Sequence, residues 1–376
     1  MKIAIAADLH IGANKFGVSD EKWNEPVVEL VDYAIENELD AVALAGDIQH
    51  KRNPSTKSAM FFDEQAQRLI RAGVHLIVSD GNHDDGVAVD SVSANWHLYG
   101  MPRWVKWARK TVDSIQINDV NIVLLPWTTP QAYLVPTDIP LKEQLELAQQ
   151  IALEELAHAR QEDKHNILIG HAMVAYGSGE SDLAPSPGLQ WAGKDVVFDF
   201  RTLAKGFDGV FLGHVHDPES MGYVGSSQPT DWGDAGQVKS FVVYDTDAKD
   251  AVRIPYKTSL KLLDHNHKTA APLASINDHY DIGRWHYHVE GEEQEPTVEE
   301  LAGIRGIMEH RCDVVESITV TKDRTVVQRV REDVEVATMS PSDAIDVWLR
   351  QGSVDTNTAK GVRSKFTSLL EAQSKE

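Results

Sequence analysis

"DGVFLGHVHDPES", residues 208–220, sets His214 and His216 one residue apart at the end of an apolar run. Val210, Phe211 and Leu212, closing on Gly213, read as a buried strand that stops where polar residues begin. Residues i and i+2 of a strand point to the same side. Both imidazoles can therefore converge just beyond the strand, which suits a metal and equally suits two hydrogen-bonded loop histidines. The stretch alone leaves both readings open.

Outward from it, the same pattern repeats. "KIAIAAD" (2–8), "AVALAGD" (41–47), "VHLIVSD" (74–80), "NIVLLPW" (121–127), "NILIGH" (166–171) and "GVFLGH" (209–214) are short, apolar and strand-like. "KSFVVYD" (239–245) and "AVRIPY" (251–256) add two more. Helical spacing lies between them. Val27, Leu30, Val31, Ala34 and Ile35 fall three or four apart, and similar patterns cover about 56–72 and 141–163. Alternation of this kind predicts a layered α/β domain with sheets covered by helices, over residues 1–263.

A polar stretch at 264–280 reads as a boundary, followed by a small α+β unit over 278–335. Within that unit "RWHYHVEG" alternates, "TVEELAGIRGIMEH" is helical behind a Thr cap, and "VVESITVTKD" alternates again. Its own H-x-H, His286 and His288, has few ligand-type neighbours and reads as a partly solvated strand face. Residues 338–376 read as a helix–loop–helix. Ala344, Ile345, Trp348 and Leu349 line one helix; Val362, Phe366, Leu369 and Leu370 line the other.

Five strands of the first domain end in, or lead to, a metal-type ligand. One ends in Asp8-Leu9-His10, another in Gly46-Asp47 with His50 three residues on, and a third leads to Gly81-Asn82-His83-Asp84. Two more end in Gly170-His171 and Gly213-His214-Val215-His216. Open α/β sheets place sites beyond the carboxyl ends of their strands, so these tips can share one cleft. Imidazole, carboxylate and amide oxygen without thiolate suit manganese, iron(II) or zinc. The set is too large for one ion and right for two that share a carboxylate, an arrangement suited to in-line displacement at phosphorus.

Composition bounds the partners. The chain has 376 residues, 36 basic and 58 acidic, for a net charge of −22. Such a field does not grip nucleic acid as a whole. Any nucleic acid must meet a local positive surface, for which two stretches qualify. Lys51, Arg52 and Lys57 follow His50, and "PRWVKWARK" (102–110) mixes Arg103, Lys106, Arg109 and Lys110 with two tryptophans. The second stretch also reads as a solvated helix face with its tryptophans in the core. One cysteine, the lack of a span-length apolar run and an N-terminus that runs straight into a strand predict a cytoplasmic protein with no membrane association.

The order D-x-H, G-D, G-N-H-D, G-H, G-H-x-H resembles the calcineurin-like metallophosphoesterase superfamily, a β-sandwich flanked by helices. The resemblance implies that Asp8, His10 and His216 hold one ion, that Asn82, His171 and His214 hold the other, and that Asp47 bridges them. It implies His83 as the acid near the leaving oxygen, with His50 orienting substrate and Asp84 fixing local geometry. His50 after "GD" and "YVGSSQPTDWGD" (223–234) resemble, more narrowly, the SbcD-type DNA repair nucleases. That resemblance implies a manganese-dependent exo- and endonuclease, homodimeric, in a bacterial cell or a phage-infected host. It also implies a capping domain for DNA recognition and a terminal helix pair docked on the coiled coil of an SbcC-like ATPase. A small-molecule or nucleotide phosphodiesterase, or a metal-free scaffold on the same fold, are the competing readings.

Overall fold

A computed structural model describes residues 1–84, 104–176, 195–268, 270, 272–290, 293–322, 362 and 365. The chain divides into two units, Met1–Lys322 and Asp323–Glu376. Arg103, residues 323–335 and the helix–loop–helix, apart from Val362 and Lys365, lie outside the described residues.

Two sheets form the body. The larger has the order β12-β11-β1-β2-β3-β4: β1 (Lys2–Ala6), β2 (Ala41–Ala45), β3 (His75–Ser79), β4 (Val105–Ala108), β11 (Ser240–Asp245) and β12 (Asp250–Pro255). The smaller has the order β10-β7-β6-β5: β5 (Asp113–Ile117), β6 (Val120–Leu125), β7 (His165–His171) and β10 (Gly209–Gly213). A two-stranded sheet pairs β8 (Met173–Ala175) with β9 (Val197–Asp199). β1 to β4 run parallel, as do β6, β7 and β10.

Side-chain parity explains why the strands read as unbroken apolar runs. Ile3, Ile5, Ala41, Ala43, Ala45 and Ile77 meet Ile122, Leu124, Ile167, Ile169 and Phe211 in the core between the sheets. The alternate residues, Ala4, Ala6, Val42, Leu44, Leu76 and Val78, pack outward on α1 (Asp20–Glu36) and α2 (Thr56–Arg71). On the far side Val123, Leu125, Leu168 and Leu212 meet Ala148, Ala152 and Leu156 of α3 (Leu141–Ala159). Covering both faces requires apolar residues at every strand position, which gives a helix–sheet–sheet–helix sandwich. The helices begin where their caps dictate: the Ser19 side chain accepts from Lys22 N and that of Ser55 from Ser58 N. A short α4 (Phe200–Ala204) follows β9.

Several elements differ from the sequence reading, which has no counterpart for β5, β8 or β9. "VKWA" is not a helix face; it is β4, an edge strand parallel to β3, and Lys106 pairs with Asp113 at 2.5 Å. The polar stretch expected to be a boundary contains the last residues of β13 (Leu262–Asn266), which joins β14 (Tyr280–Val289) and β15 (Cys312–Lys322) in a three-stranded parallel sheet. With α5 (Val298–Arg311) this sheet encloses a small core of Leu263, Trp285, Met308 and Cys312. His286 bonds Asp264 at 2.9 Å and His288 bonds Thr321 at 3.0 Å, so both serve the strand face. Among the described residues no helix is long and apolar enough to cross a membrane.

Candidate metal centre

Because β1, β2, β3, β7 and β10 point their carboxyl ends the same way within each sheet, the loops that follow them meet at one end of the sandwich. The backbone there is forced. Asp8, His10, Asp47 and His214 adopt positive φ values of 50°, 46°, 52° and 100°. L-residues avoid that region, and such strain collects at functional sites. Two glycines make the closeness possible. Gly46 lies at φ +85°, and a Cβ there would stand 2.3 Å from Nδ1 of His171; one on Gly81 would stand 2.1 Å from Oδ1 of Asp47.

The side chains converge. Asp8, His10 and His216 bring ligand atoms within 4.8 Å of one another, as do Asp8, Asp47 and His171. Nε2 of His10 and Nε2 of His216 face each other at 3.2 Å. On the other side Oδ1 of Asn82 lies 3.0 Å from Nε2 of His171 and 3.2 Å from Nδ1 of His214. Asp47 stands between the groups: Oδ2 is 3.9 Å from Nε2 of His10, and Oδ1 is 3.6 Å from Nε2 of His171. All seven residues expected as ligands share this site.

Its electrostatics call for a cation. Burial raises Asp8 well above the ordinary carboxylate range, with Asp47 adding to the effect. Burial also pushes Asp47 up to about 6. The imidazoles go the other way: burial holds His10 and His214 far below the ordinary range and takes His171 and His216 to about 3. Neutral imidazoles keep a free lone pair. Nδ1 of His10 and Nε2 of His214 are buried with no hydrogen-bond partner among the described residues. Clustered carboxylates beside neutral nitrogen donors fit a divalent ion.

A surrounding layer fixes the ligands. Nδ1 of His171 donates to the carbonyl of Ala45 at 2.9 Å, which turns Nε2 toward Asn82 and Asp47. Nδ1 of His216 meets Oγ1 of Thr230 at 2.6 Å, and Thr230 bonds Oδ2 of Asp234 through its N–H (2.7 Å) and its hydroxyl (3.2 Å). Buried Lys239 then pairs with Asp234 at 3.5 Å and donates to the carbonyl of His216 at 3.0 Å. Such outer partners orient metal ligands. Thr230→Ala is expected to lower manganese affinity about 10- to 100-fold, measured by titrating chelated protein in a calorimeter, with Thr230→Ser close to wild type. Unchanged affinity would give Thr230 a purely local role.

The remaining expected residues lie close by. Nδ1 of His83 donates to the carbonyl of His50 at 2.6 Å, leaving Nε2 free to face Oδ2 of Asp47 at 3.8 Å. The His50 ring stacks on that of His83 at 5.5 Å, and burial lowers it to about 4. Buried Asp84 accepts the N–H groups of Ile48, Gln49 and Gly81, so it ties the Asp47 loop to the Asn82 loop. Lys51 and Arg52 are exposed on the loop after His50. Lys57 pairs with Asp20 (2.9 Å) and Glu21 (2.8 Å), which neutralise it locally. Sequence reasoning passed over Thr230 and Lys239. It also passed over Trp127, whose ring lies 4.6 Å from that of His214. Trp127 follows an apolar strand as the ligands do, and the same strand-end rule could have found it.

The model of the family described as calcineurin-like phosphoesterase matches residues 1–218. Among solved structures, TT1561 of Thermus thermophilus is 14% identical with a TM-score of 0.40, over 68% of this chain and 99% of its own. A dimetal phosphatase from Danio rerio is 13% identical with a TM-score of 0.38, over 68% of this chain and 99% of its own.

Proposed function

We propose that this chain, which belongs to the calcineurin-like phosphoesterase family, is a two-metal nuclease that hydrolyses phosphodiester bonds in DNA as an exonuclease and endonuclease. The observation that carries the two-metal part is Asp47, whose two oxygens face separate groups of donors, 3.9 Å from His10 and 3.6 Å from His171. Asp8, His10 and His216 would hold one ion and Asn82, His171 and His214 the other, most simply manganese given the oxygen and nitrogen donors. When bound, the ions supply a water made nucleophilic near neutral pH and positive charge beside the phosphoryl oxygens.

The chain's own groups do the rest. The His50 carbonyl accepts from Nδ1 of His83, so in the imidazolium form the Nε2–H is the group that gives a proton to the leaving oxygen. Tight burial of Asp8 and Asp47, 1% and 2% exposed, keeps bulk water from competing for the donors.

The nuclease part rests on the narrower sequence resemblance and on cations at the mouth of the site. The net charge of −22 favours, as a second reading, a diesterase for small substrates. Manganese-dependent digestion of end-labelled linear duplex DNA separates the two. A protein that cleaves bis(p-nitrophenyl) phosphate and leaves duplex DNA intact is a small-molecule diesterase. With so few local cations, DNA affinity should be weak and fall steeply as salt rises. Fluorescence anisotropy across a salt series checks this, and salt-independent binding would contradict it.

The same proposal makes the protein the cytoplasmic, homodimeric nuclease subunit of an SbcCD-like end-processing complex. Residues 278–335 would form the DNA-recognition cap and residues 338–376 would dock on the ATPase coiled coil. Amphipathic helices this short are marginal alone and bind partners through a few large residues. Deleting 338–376 is expected to leave a metal-loaded enzyme active on the small diester that no longer co-purifies with an SbcC-like ATPase. Retained co-purification, or a metal-free truncation, would return the segment to the chain's own fold.

A further inference from the structure

Beside the metal centre lies a second polar hollow of about 160 Å3. Arg52, Arg109 and Lys110 line it together with Asn82, Trp127 and Gln131. They come from several places in the chain, among them the loop after His50, the end of β4 and the segment after β6. No carboxylate lines this hollow among the described residues, although the chain carries 58 acidic residues against 36 basic ones. Asp80 holds Arg109 from beneath at 3.2 Å and is itself buried, so it anchors that guanidinium at the wall.

Two residues join the hollow to the reacting centre. Asn82 is a wall of the hollow and also lies 3.0 Å from Nε2 of His171. Trp127 is the other shared wall, with its ring 4.6 Å from that of His214 and 5.7 Å from that of His171. A water molecule's share of liquid volume is about 30 Å3, so the hollow has room for a tetrahedral anion. Arg and Lys donors around such a space recognise phosphate oxygens, and Gln131 adds a neutral donor.

We propose that this hollow, resting on the nuclease reading above, is a subsite for the phosphate next along the strand from the one being cut. A chain with several phosphates then engages two places at once, whereas a small diester engages only the metal centre. Specificity for polynucleotides would arise here, without any base being read.

The test pairs enzyme and substrate changes on short oligothymidylates, with methylphosphonate replacing one phosphate on either side of the cleaved bond in turn. Either Lys110→Gln or Arg52→Gln should lower kcat/KM on the unmodified oligonucleotide about tenfold or more relative to kcat/KM on bis(p-nitrophenyl) phosphate, the usual value of a charged hydrogen bond. One methylphosphonate position should cost wild type a similar factor. The two changes together should cost no more than either alone, since both remove one contact. Losses that multiply at both positions, or a neutral phosphate without effect, overturn the subsite while leaving the nuclease intact. A wild type active on the small diester that cuts no oligonucleotide overturns the nuclease reading, and the subsite with it. Metal content equal to wild type in each variant shows that the loss arises in the hollow.

Discussion

Asp47→Ala is expected to abolish hydrolysis and metal binding together, with a rate loss of roughly 10⁴-fold or more. Its carboxylate faces both sets of donors, Oδ2 3.9 Å from His10 and Oδ1 3.6 Å from His171. It also accepts the N–H of His83 at 2.9 Å, so its removal frees the acid as well. Alanine removes the carboxylate that the two groups of donors share and leaves Asp8 beside the imidazoles. Elemental analysis of the purified variant, read beside its rate on bis(p-nitrophenyl) phosphate, checks this. A variant that keeps a full metal complement while losing only rate would remove Asp47 from the bridge.

His83→Ala should behave differently: metal stays and the rate falls about 10²–10⁴-fold, the usual value of a positioned acid. The side chain is 35% exposed, against 3% for Asp47, and its Nδ1 is already committed to the His50 carbonyl. One imidazole nitrogen therefore remains, on the open side of the site, where a leaving group would depart. The same elemental analysis decides the matter. Metal lost in step with activity would make His83 a ligand.

The sandwich was legible in the sequence because its strands are covered on both faces. Ile3 and Ile5 fill the inter-sheet core while Ala4 and Ala6 meet the helices, so no position could be polar. The edge strand β4 carries no such signature. β4 is half exposed along Val105, Lys106 and Trp107, and a strand with one wet face and basic residues mimics an amphipathic helix over four residues. β13 hid for a related reason: Asp264 is polar because it pairs with Arg284 and His286 of β14 across the sheet, a contact that no local pattern reveals.

The ligands were legible because each follows an apolar run within a few residues and because an i, i+2 spacing survives in sequence. The layer behind them was not. Thr230 reaches His216 across fourteen residues of irregular backbone, and Lys239 closes that network from further on. Neither spacing corresponds to a helix or strand period. Asp84 is intermediate. Its place beside Asn82 and His83 marked it, but only the fold shows that it accepts three backbone amides from two loops.

The most direct measurement strips the protein of metal by chelation and returns manganese in steps. Bound metal per chain and cleavage of end-labelled duplex DNA are read in the same samples. Two ions across Asp47 predict no cleavage without metal and a rate that climbs only as the second equivalent binds. Cleavage that survives chelation, or duplex DNA left intact at full loading, would contradict a two-metal nuclease.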